Sequence, residues 1–216
     1  MGVGSYYNRL EVSNSDLSWL KTQINPRENV SDPTEAYAFG SLIDAMITEP
    51  DRVDYFQMTL DGEKVKKELF NNAVAMKRAF WNDDFCRDFA DKMDGQKVSI
   101  RHDNDFNYKG IDFKLDVRCK WDIWRTDWGW GGDIKSTTAT TQAQFEAAAR
   151  FFDYDRQRAW YMNIENSKRD VLIGISKVNH KVFKIFINRE SEFYKSGVQK
   201  YLELAFRWNL LFGETK

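Results

Sequence analysis

Two carboxylates and a lysine in the middle of the chain have the types and the spacing of a metal site that acts on phosphate. Asp133 and Lys135 are two positions apart in WGWGGDIKSTT, and Asp116 lies upstream in DFKLDVRC. In a β-strand such residues project from the same face, while Ile134 between them points to the other. Carboxylates are ligands that Mg²⁺ and Mn²⁺ prefer. If the two strands are neighbours, Asp116 and Asp133 predict a divalent metal site beside Lys135 that activates water.

The Asp-x-Lys pattern does not establish such a site by itself. An apolar residue between an acid and a lysine also occurs in any half-exposed strand, where both polar side chains are simply solvated. A second acid upstream strengthens the functional interpretation only modestly. His102 and His180 do not have the spacing of a metal pair, and the chain lacks a glycine-rich phosphate loop. A histidine-dependent hydrolase is therefore disfavoured.

The spacing of apolar residues along the chain changes from a helical period to a strand period and back, which predicts the elements that position these residues. Apolar residues recur at helical spacing in the first third, and we expect helices over about 14–25, 33–48 and 62–81 with a shorter one in DDFCRDFADKM. Three strands then form an antiparallel meander, followed by a helix pair over about 141–162, two further strands and a final helix. This order predicts an α/β (α+β) domain whose mixed sheet of about five strands is flanked by helices.

Length and composition indicate one globular domain. The chain has 216 residues, of which 42% are hydrophobic, and we expect a helical part at about 1–95, a sheet core at about 96–190 and a C-terminal helix at about 190–212. The net charge of −1 gives no general attraction to nucleic acid. Cys86 and Cys119 are expected to be reduced thiols of a cytoplasmic protein, because no signal-peptide or membrane-spanning pattern is present.

Four ordered motifs together resemble the PD-(D/E)XK nuclease superfamily, and within it the exonuclease VIII (RecE-like) and lambda-exonuclease branch. The first is VSNSDLSWLK, similar to a Ser-x-Ser-x-Leu entry, and the second is FGSLIDAMITEP, similar to a helix that starts with Phe-Gly and ends in Glu-Pro. The acid followed by Asp-Ile-Lys is the third, and YDRQRAWY, similar to a Tyr-x-x-Gln helix, is the fourth. The resemblance implies a restriction-endonuclease-like core.

The resemblance also implies an activity and roles for the site. A Mg²⁺-dependent deoxyribonuclease is expected, an exonuclease on duplex ends in phage or mobile-element recombination, with Mn²⁺ as a substitute ion. Asp116, Asp133 and the Ile134 carbonyl would hold the metal, Lys135 would assist attack by water, and Gln157 would position the substrate. Substrate contacts are expected from Ser136, Thr137, Tyr154 and Tyr161, although a tyrosine pair at helical spacing is more often partly buried packing. Asp44 stands where the second motif commonly carries histidine, and it is either a further metal ligand or a solvated helix residue.

Several alternatives remain open at this point. The expected partners are DNA, other copies of the chain in a homo-oligomer and a single-strand annealing protein, with no membrane. A nuclease fold that has lost catalysis and serves as a DNA-binding or assembly module is one rival, and a structure- or sequence-selective endonuclease is another. The tryptophan-rich segment 121–130 is interpreted in three ways, as a platform for bases, as a subunit interface or as a cover for the sheet.

Overall fold

The computed structural model describes residue 6, residues 9–26 and residues 34–213. The helices are α1 (Asn14–Ile24), α2 (Thr34–Thr48), α3 (Lys67–Asn82), α4 (Asp84–Ala90), α5 (Gln142–Phe151), α6 (Tyr154–Glu165) and α7 (Glu192–Phe212). The strands are β1 (Val53–Asp54), β2 (Thr59–Leu60), β3 (Glu63–Lys64), β4 (Asp94–Tyr108), β5 (Ile111–Arg125), β6 (Trp130–Thr137), β7 (Arg169–Ser176) and β8 (Val182–Asn188).

A five-stranded mixed sheet in the order β4-β5-β6-β7-β8 forms the centre of the fold. Strands β4, β5 and β6 are an antiparallel meander, β6 and β7 are parallel, and β8 is antiparallel to β7. The parallel pair is joined by the crossover through α5 and α6, as parallel neighbours require. The predicted fold class, a mixed five-stranded sheet flanked by helices with a helical N-terminal region, is confirmed.

Local sequence explains where the principal elements begin and turn. The hydroxyl of Ser13 accepts a hydrogen bond from the Asp16 amide, and the Asp16 carboxylate accepts one from the Ser13 amide, so a capping box starts α1. Lys109 and Gly110 both have positive φ at the tip of the β4–β5 hairpin, the conformation that a two-residue turn between twisted strands needs.

Each face of the central sheet is covered by its own hydrophobic core. One core lies under α5, α6 and α7 and contains Trp121, Phe145, Trp160 and Leu172. The other lies under α2, α3 and α4 and contains Ile43, Met76, Ile134 and Ile173. Since neighbouring residues of a strand point to opposite faces, β7 supplies Leu172 to the first core and Ile173 to the second. None of the helices that the structure describes is both long and apolar enough to span a membrane.

Residues 53–64 differ from the sequence prediction. They form a small antiparallel sheet of β1, β2 and β3, so that α3 begins at Lys67 and not near Gly62. Gly62 has a φ of 84° in the turn between β2 and β3, a conformation that glycine adopts without strain. The predicted helix over about 62–81 therefore starts a few residues too early, and the three strands were not predicted because strands of two residues are too short to show an alternation.

The tryptophan-rich segment mainly covers the sheet. Trp121 and Trp124 are buried and pack against each other with ring centroids 5.0 Å apart. Trp128 and Trp130 pack on Phe89 from α4, and the Arg125 guanidinium lies 4.1 Å from the Trp128 ring centroid. Most of these aromatic faces are therefore already occupied within the domain, which supports the third of the three interpretations.

Candidate active site

Asp133 and Lys135 lie side by side on β6, as the sequence predicts. The Lys135 ammonium forms an ion pair with Oδ2 of Asp133, and the Asp133 side chain is almost completely buried. Burial lowers the pKa of Lys135, but the carboxylates of Asp133, Asp122 and Asp44 raise it, and the net shift is upward. Lys135 is therefore a fixed positive charge at the centre of an acidic cluster.

The second carboxylate of the cluster comes from Asp122 on β5. Ile123 pairs with Gly132 across the β5–β6 ladder, so Asp122 and Asp133 are the next positions along the two strands. Oδ2 of Asp122 accepts a hydrogen bond of 2.8 Å from the Ile134 amide. Burial and repulsion from Asp133 raise the pKa of Asp122 to about 6, although Lys135 lowers it. A half-buried carboxylate with this shift marks a functional-site candidate.

Asp44 on α2 supplies the third carboxylate. Burial raises its pKa well above the ordinary value, and repulsion from Asp122 and Asp133 adds to the shift, while Lys135 and Lys120 oppose it. Asp44 is half-buried, and its electrostatic neighbours are the acids of β5 and β6, so it lies beside the cluster and not on an open helix face. An aspartate in place of the histidine that this helix commonly carries would offer a metal an oxygen ligand where histidine would offer a nitrogen.

The prediction that Asp116 converges with Asp133 and Lys135 is wrong. Asp116 is six residues before Asp122 on the same extended strand, which is roughly 20 Å at about 3.3 Å per residue. Its carboxylate instead pairs with the His102 ring at 3.0 Å and accepts the Asp103 amide at 2.8 Å. This pairing raises the pKa of His102 at the exposed part of the β4–β5 hairpin.

A fully buried guanidinium supports the cluster from within the domain. Arg158 on α6 donates from Nη1 to Oδ1 of Asp133 at 2.8 Å and from Nε to Oδ2 of Asp170 on β7 at 2.9 Å. The Tyr161 ring centroid lies 4.5 Å from the guanidinium carbon. Burial raises the pKa of Asp170 to about 7, although Arg158 lowers it. Sequence reasoning missed Arg158, because arginine beside the motif glutamine is usually an exposed helix residue.

The α6 residues predicted to contact substrate separate into two groups. Tyr154 is half-buried, and its ring centroid lies 5.2 Å from the Lys135 ammonium. Gln157 follows one turn later, and its buried Oε1 has no hydrogen-bond partner within the described part of the chain. Tyr161 is buried against Trp121 and Arg158. The expectation that Tyr161 stacks on substrate is therefore wrong, because its ring is part of the core.

The residues around Asp133 and Lys135 on β6 are also placed by the strand. Alternation directs Ile134 and Ser136 to the opposite face of the sheet, and the Ile134 side chain lies in the core under α2, α3 and α4. Thr137 shares the face of Lys135, and its hydroxyl accepts the Ala139 amide at 3.1 Å. The structure therefore does not bring the Ser136 side chain to the cluster, whereas Thr137 lies on the same side.

The donor set fits a hard divalent cation. Among residues 6, 9–26 and 34–213, no three acidic, histidine or cysteine side chains already lie in the arrangement of a metal site. Lys135 and Arg158 contact the two oxygens of Asp133. Burial raises the pKa values of Asp44 and Asp122, and repulsion among the carboxylates of Asp44, Asp122 and Asp133 raises them further. A cation with oxygen preference would relieve that repulsion, and Mg²⁺ and Mn²⁺ have this preference.

Comparison with known proteins places this arrangement in a fold class. The chain resembles a protein from Eubacterium rectale described as a "Putative exonuclease", with 15% identity, a TM-score of 0.59 and coverage of 97% of this chain and 85% of that one. It also matches a phage related exonuclease from Haemophilus somnus 129PT, with 10% identity, a TM-score of 0.45 and coverage of 98% and 99%. No curated protein matches the chain.

The fold and the family agree. The five-stranded sheet with its flanking helices is a fold of the PD-(D/E)XK kind. Residues 13–206 match the family described as "PDDEXK-like domain of unknown function", and the chain belongs to that family. The predicted membership of the superfamily is confirmed.

Proposed function

We propose that the protein is a divalent-metal-dependent nuclease that hydrolyses phosphodiester bonds of DNA. The observation that carries the proposal is the convergence of Asp44, Asp122 and Asp133 around Lys135 within a PD-(D/E)XK-like fold. Asp122, which the sequence analysis did not select, takes the role that was expected of Asp116. The predicted roles of Asp133 and Lys135 are retained.

Each residue has a distinct part in this proposal. Asp44, Asp122 and Asp133 would hold the cation, with the Ile134 carbonyl as a further oxygen ligand. Bound Mg²⁺ or Mn²⁺ would lower the pKa of a water molecule and offset charge on the scissile phosphate. The Lys135 ammonium lies beside Asp133 and stabilises the negative charge that develops on the phosphate.

Three side chains on the same side of the sheet would orient the substrate. The buried Oε1 of Gln157 is an acceptor that fits the attacking water or a hydroxyl group of the substrate. Thr137 and Tyr154 lie beside Lys135 and can donate hydroxyl hydrogens to backbone phosphate. Arg158 acts only indirectly, because its hydrogen bond to Asp133 fixes the orientation of that carboxylate.

We further propose that the enzyme is an exonuclease that starts from duplex ends in phage or mobile-element recombination. The support is the resemblance of its ordered motifs to the exonuclease VIII and lambda-exonuclease branch. A homo-oligomer and a strand-annealing partner are consistent with that branch and remain predictions. An endonuclease on the same site is the alternative in this class, and it requires no strand end.

Digestion of linear and closed circular duplex DNA with Mg²⁺, Mn²⁺ or EDTA tests the proposal, using the wild type and Lys135→Ala. We expect metal-dependent loss of linear DNA alone and a rate at least about a hundredfold lower in the variant, because a preorganised donor at the developing charge is removed. Lys114→Ala, an exposed lysine on β5, is the matched control and should cut at the wild-type rate.

The other outcomes have defined meanings. Cutting of closed circles would replace the exonuclease with an endonuclease. If no DNA is degraded with any metal, the catalytic proposal fails, and the chain is a binding or assembly module on a nuclease scaffold.

A further inference from the structure

Two exposed phenylalanines mark the corner between α5 and α6, next to the candidate active site. Phe151 and Phe152 are 62% and 55% exposed, although phenylalanine is among the residues most often buried. The Phe152 ring stacks on Tyr154 with centroids 5.8 Å apart, and Phe151 meets Phe152 edge-on at 5.0 Å. Tyr154 in turn contacts Lys135. A continuous row of rings therefore leads from Lys135 to the surface.

The backbone that presents these rings is firmly held. Asp153 follows Phe152 and has left-handed dihedral angles of φ 55° and ψ 34°, a conformation that aspartate tolerates. Its carboxylate forms ion pairs with Lys21 from α1 and, at 2.9 Å, with Lys200 from α7. The corner is thus tied to two other helices, and its aromatic rings are exposed on a fixed turn.

A further exposed aromatic side chain near Tyr154 comes from a different element, α2. Tyr37 on α2 is 71% exposed, and it lies close enough to Tyr154 to contribute to the raised pKa of that phenol, which burial dominates. Asp44 lies two turns later on the same helix. Aromatic rings from two separate elements therefore flank the approach to Lys135.

We propose that Phe151 and Phe152 stack on unpaired bases of the DNA strand that is cleaved beside Lys135. A paired base has both faces covered by its neighbours in the duplex, whereas an unpaired base offers a free π-face to an aromatic ring. The Lys135 ammonium attracts the phosphate of the same strand, which aligns its bases along the row of rings. The preferred substrate is then a frayed or single-stranded end. This inference rests on the proposed function.

Binding to labelled DNA in EDTA separates stacking from hydrolysis. Fluorescence anisotropy is measured with single-stranded oligothymidylate and with a blunt hairpin duplex, for the wild type and for Phe151→Leu/Phe152→Leu. Leucine keeps an apolar side chain but removes the ring, so we expect at least about a fivefold loss of affinity for the single strand and little change for the duplex. Phe56→Leu, at a 90% exposed ring on the small sheet, should bind both DNAs as the wild type does.

The proposal is overturned if the double variant binds oligothymidylate with wild-type affinity, or if the wild type does not bind it. It is also overturned if only the oligomeric state of the double variant changes, because the rings would then contact a second copy of the chain. Failure of the proposed nuclease activity would give a different result. If the wild type cuts no DNA but binds oligothymidylate through these rings, the nuclease proposal fails and the stacking proposal stands.

Discussion

Asp122→Asn is expected to reduce metal-dependent DNA hydrolysis by at least about a hundredfold. Loss of even an outer residue that orients a metal ligand typically costs 10- to 100-fold in affinity or activity, and Asp122 is proposed to be a ligand itself. The neutral amide also removes one of the three negative charges that surround Lys135. The initial rate on linear duplex DNA at saturating Mg²⁺ measures the effect.

The same substitution is not expected to unfold the protein. The asparagine carbonyl can still accept the hydrogen bond from the Ile134 amide, so the β5–β6 contact is kept. Because the pKa of Asp122 is raised to about 6 in the folded protein, its ionised form at pH 7 destabilises the folded state relative to the unfolded chain, and a neutral side chain avoids that cost. In EDTA at pH 7, the Tm of Asp122→Asn should be equal to or above that of the wild type.

Asp116→Asn is the matched control on the same strand. It should cut DNA at the wild-type rate, because Asp116 lies near the far end of the hairpin with His102. It should also lower the pKa of His102, which the Asp116 carboxylate raises, and an NMR titration of the imidazole would show this. Loss of hydrolysis in Asp116→Asn with full activity in Asp122→Asn would contradict the assignment of the site.

Arg158→Met is expected to lower the free energy of unfolding by about 3–5 kcal/mol, the usual consequence of removing one partner of a buried ion pair. Methionine fills much of the same space, so the loss comes mainly from Asp170, which is left without a cation, and from Asp133, which keeps only Lys135. Asp133 and Asp170 are both almost completely buried and both contact the guanidinium. Urea denaturation in EDTA measures the change without a contribution from metal.

Two further variants separate charge from packing. Arg207→Met removes an exposed pair with Glu203 on α7 and should cost less than about 1 kcal/mol. Adding Asp170→Asn to Arg158→Met should recover part of the stability, because one uncompensated charge is removed. If Arg158→Met lowers the free energy of unfolding as little as Arg207→Met does, the buried Asp133–Arg158–Asp170 arrangement does not support the site as described.

Much of the fold follows from local sequence patterns. The change from a helical period to alternation near residue 94 and back near 141 places the sheet and its flanking helices, because each period reflects which side chains face a core. The pair Asp133 and Lys135 also follows from strand alternation alone. These features depend on residues close in sequence, and a single chain carries that information.

Which acid of β5 lies next to Asp133 depends on the pairing register of β5 and β6, and strand alternation does not determine that register. Asp116 and Asp122 are six residues apart on one strand and both have apolar neighbours, so their local patterns are alike. The turn at residues 126–129 contained the missing signal. Counting equal distances from that turn pairs Ile123 with Gly132 and places Asp122, not Asp116, next to Asp133.

Local sequence patterns also do not predict which side chains of α6 are buried. Tyr154 and Tyr161 both fit a substrate-facing stripe by helical spacing, but only Tyr161 packs into the core with Trp121. Arg158 lies beside Gln157 in sequence and is completely buried, because two acids from β6 and β7 compensate its charge. Such compensation joins residues from three elements, and no single segment reveals it.

Mn²⁺ binding in the absence of DNA is the most direct test of where the cation is held. Calorimetric titration would compare the wild type with Asp122→Asn and Asp116→Asn. The assignment of the ligands to Asp44, Asp122 and Asp133 predicts that Asp116→Asn binds Mn²⁺ as the wild type does and that Asp122→Asn binds at least about tenfold more weakly. Weakened binding in Asp116→Asn with unchanged binding in Asp122→Asn would contradict it.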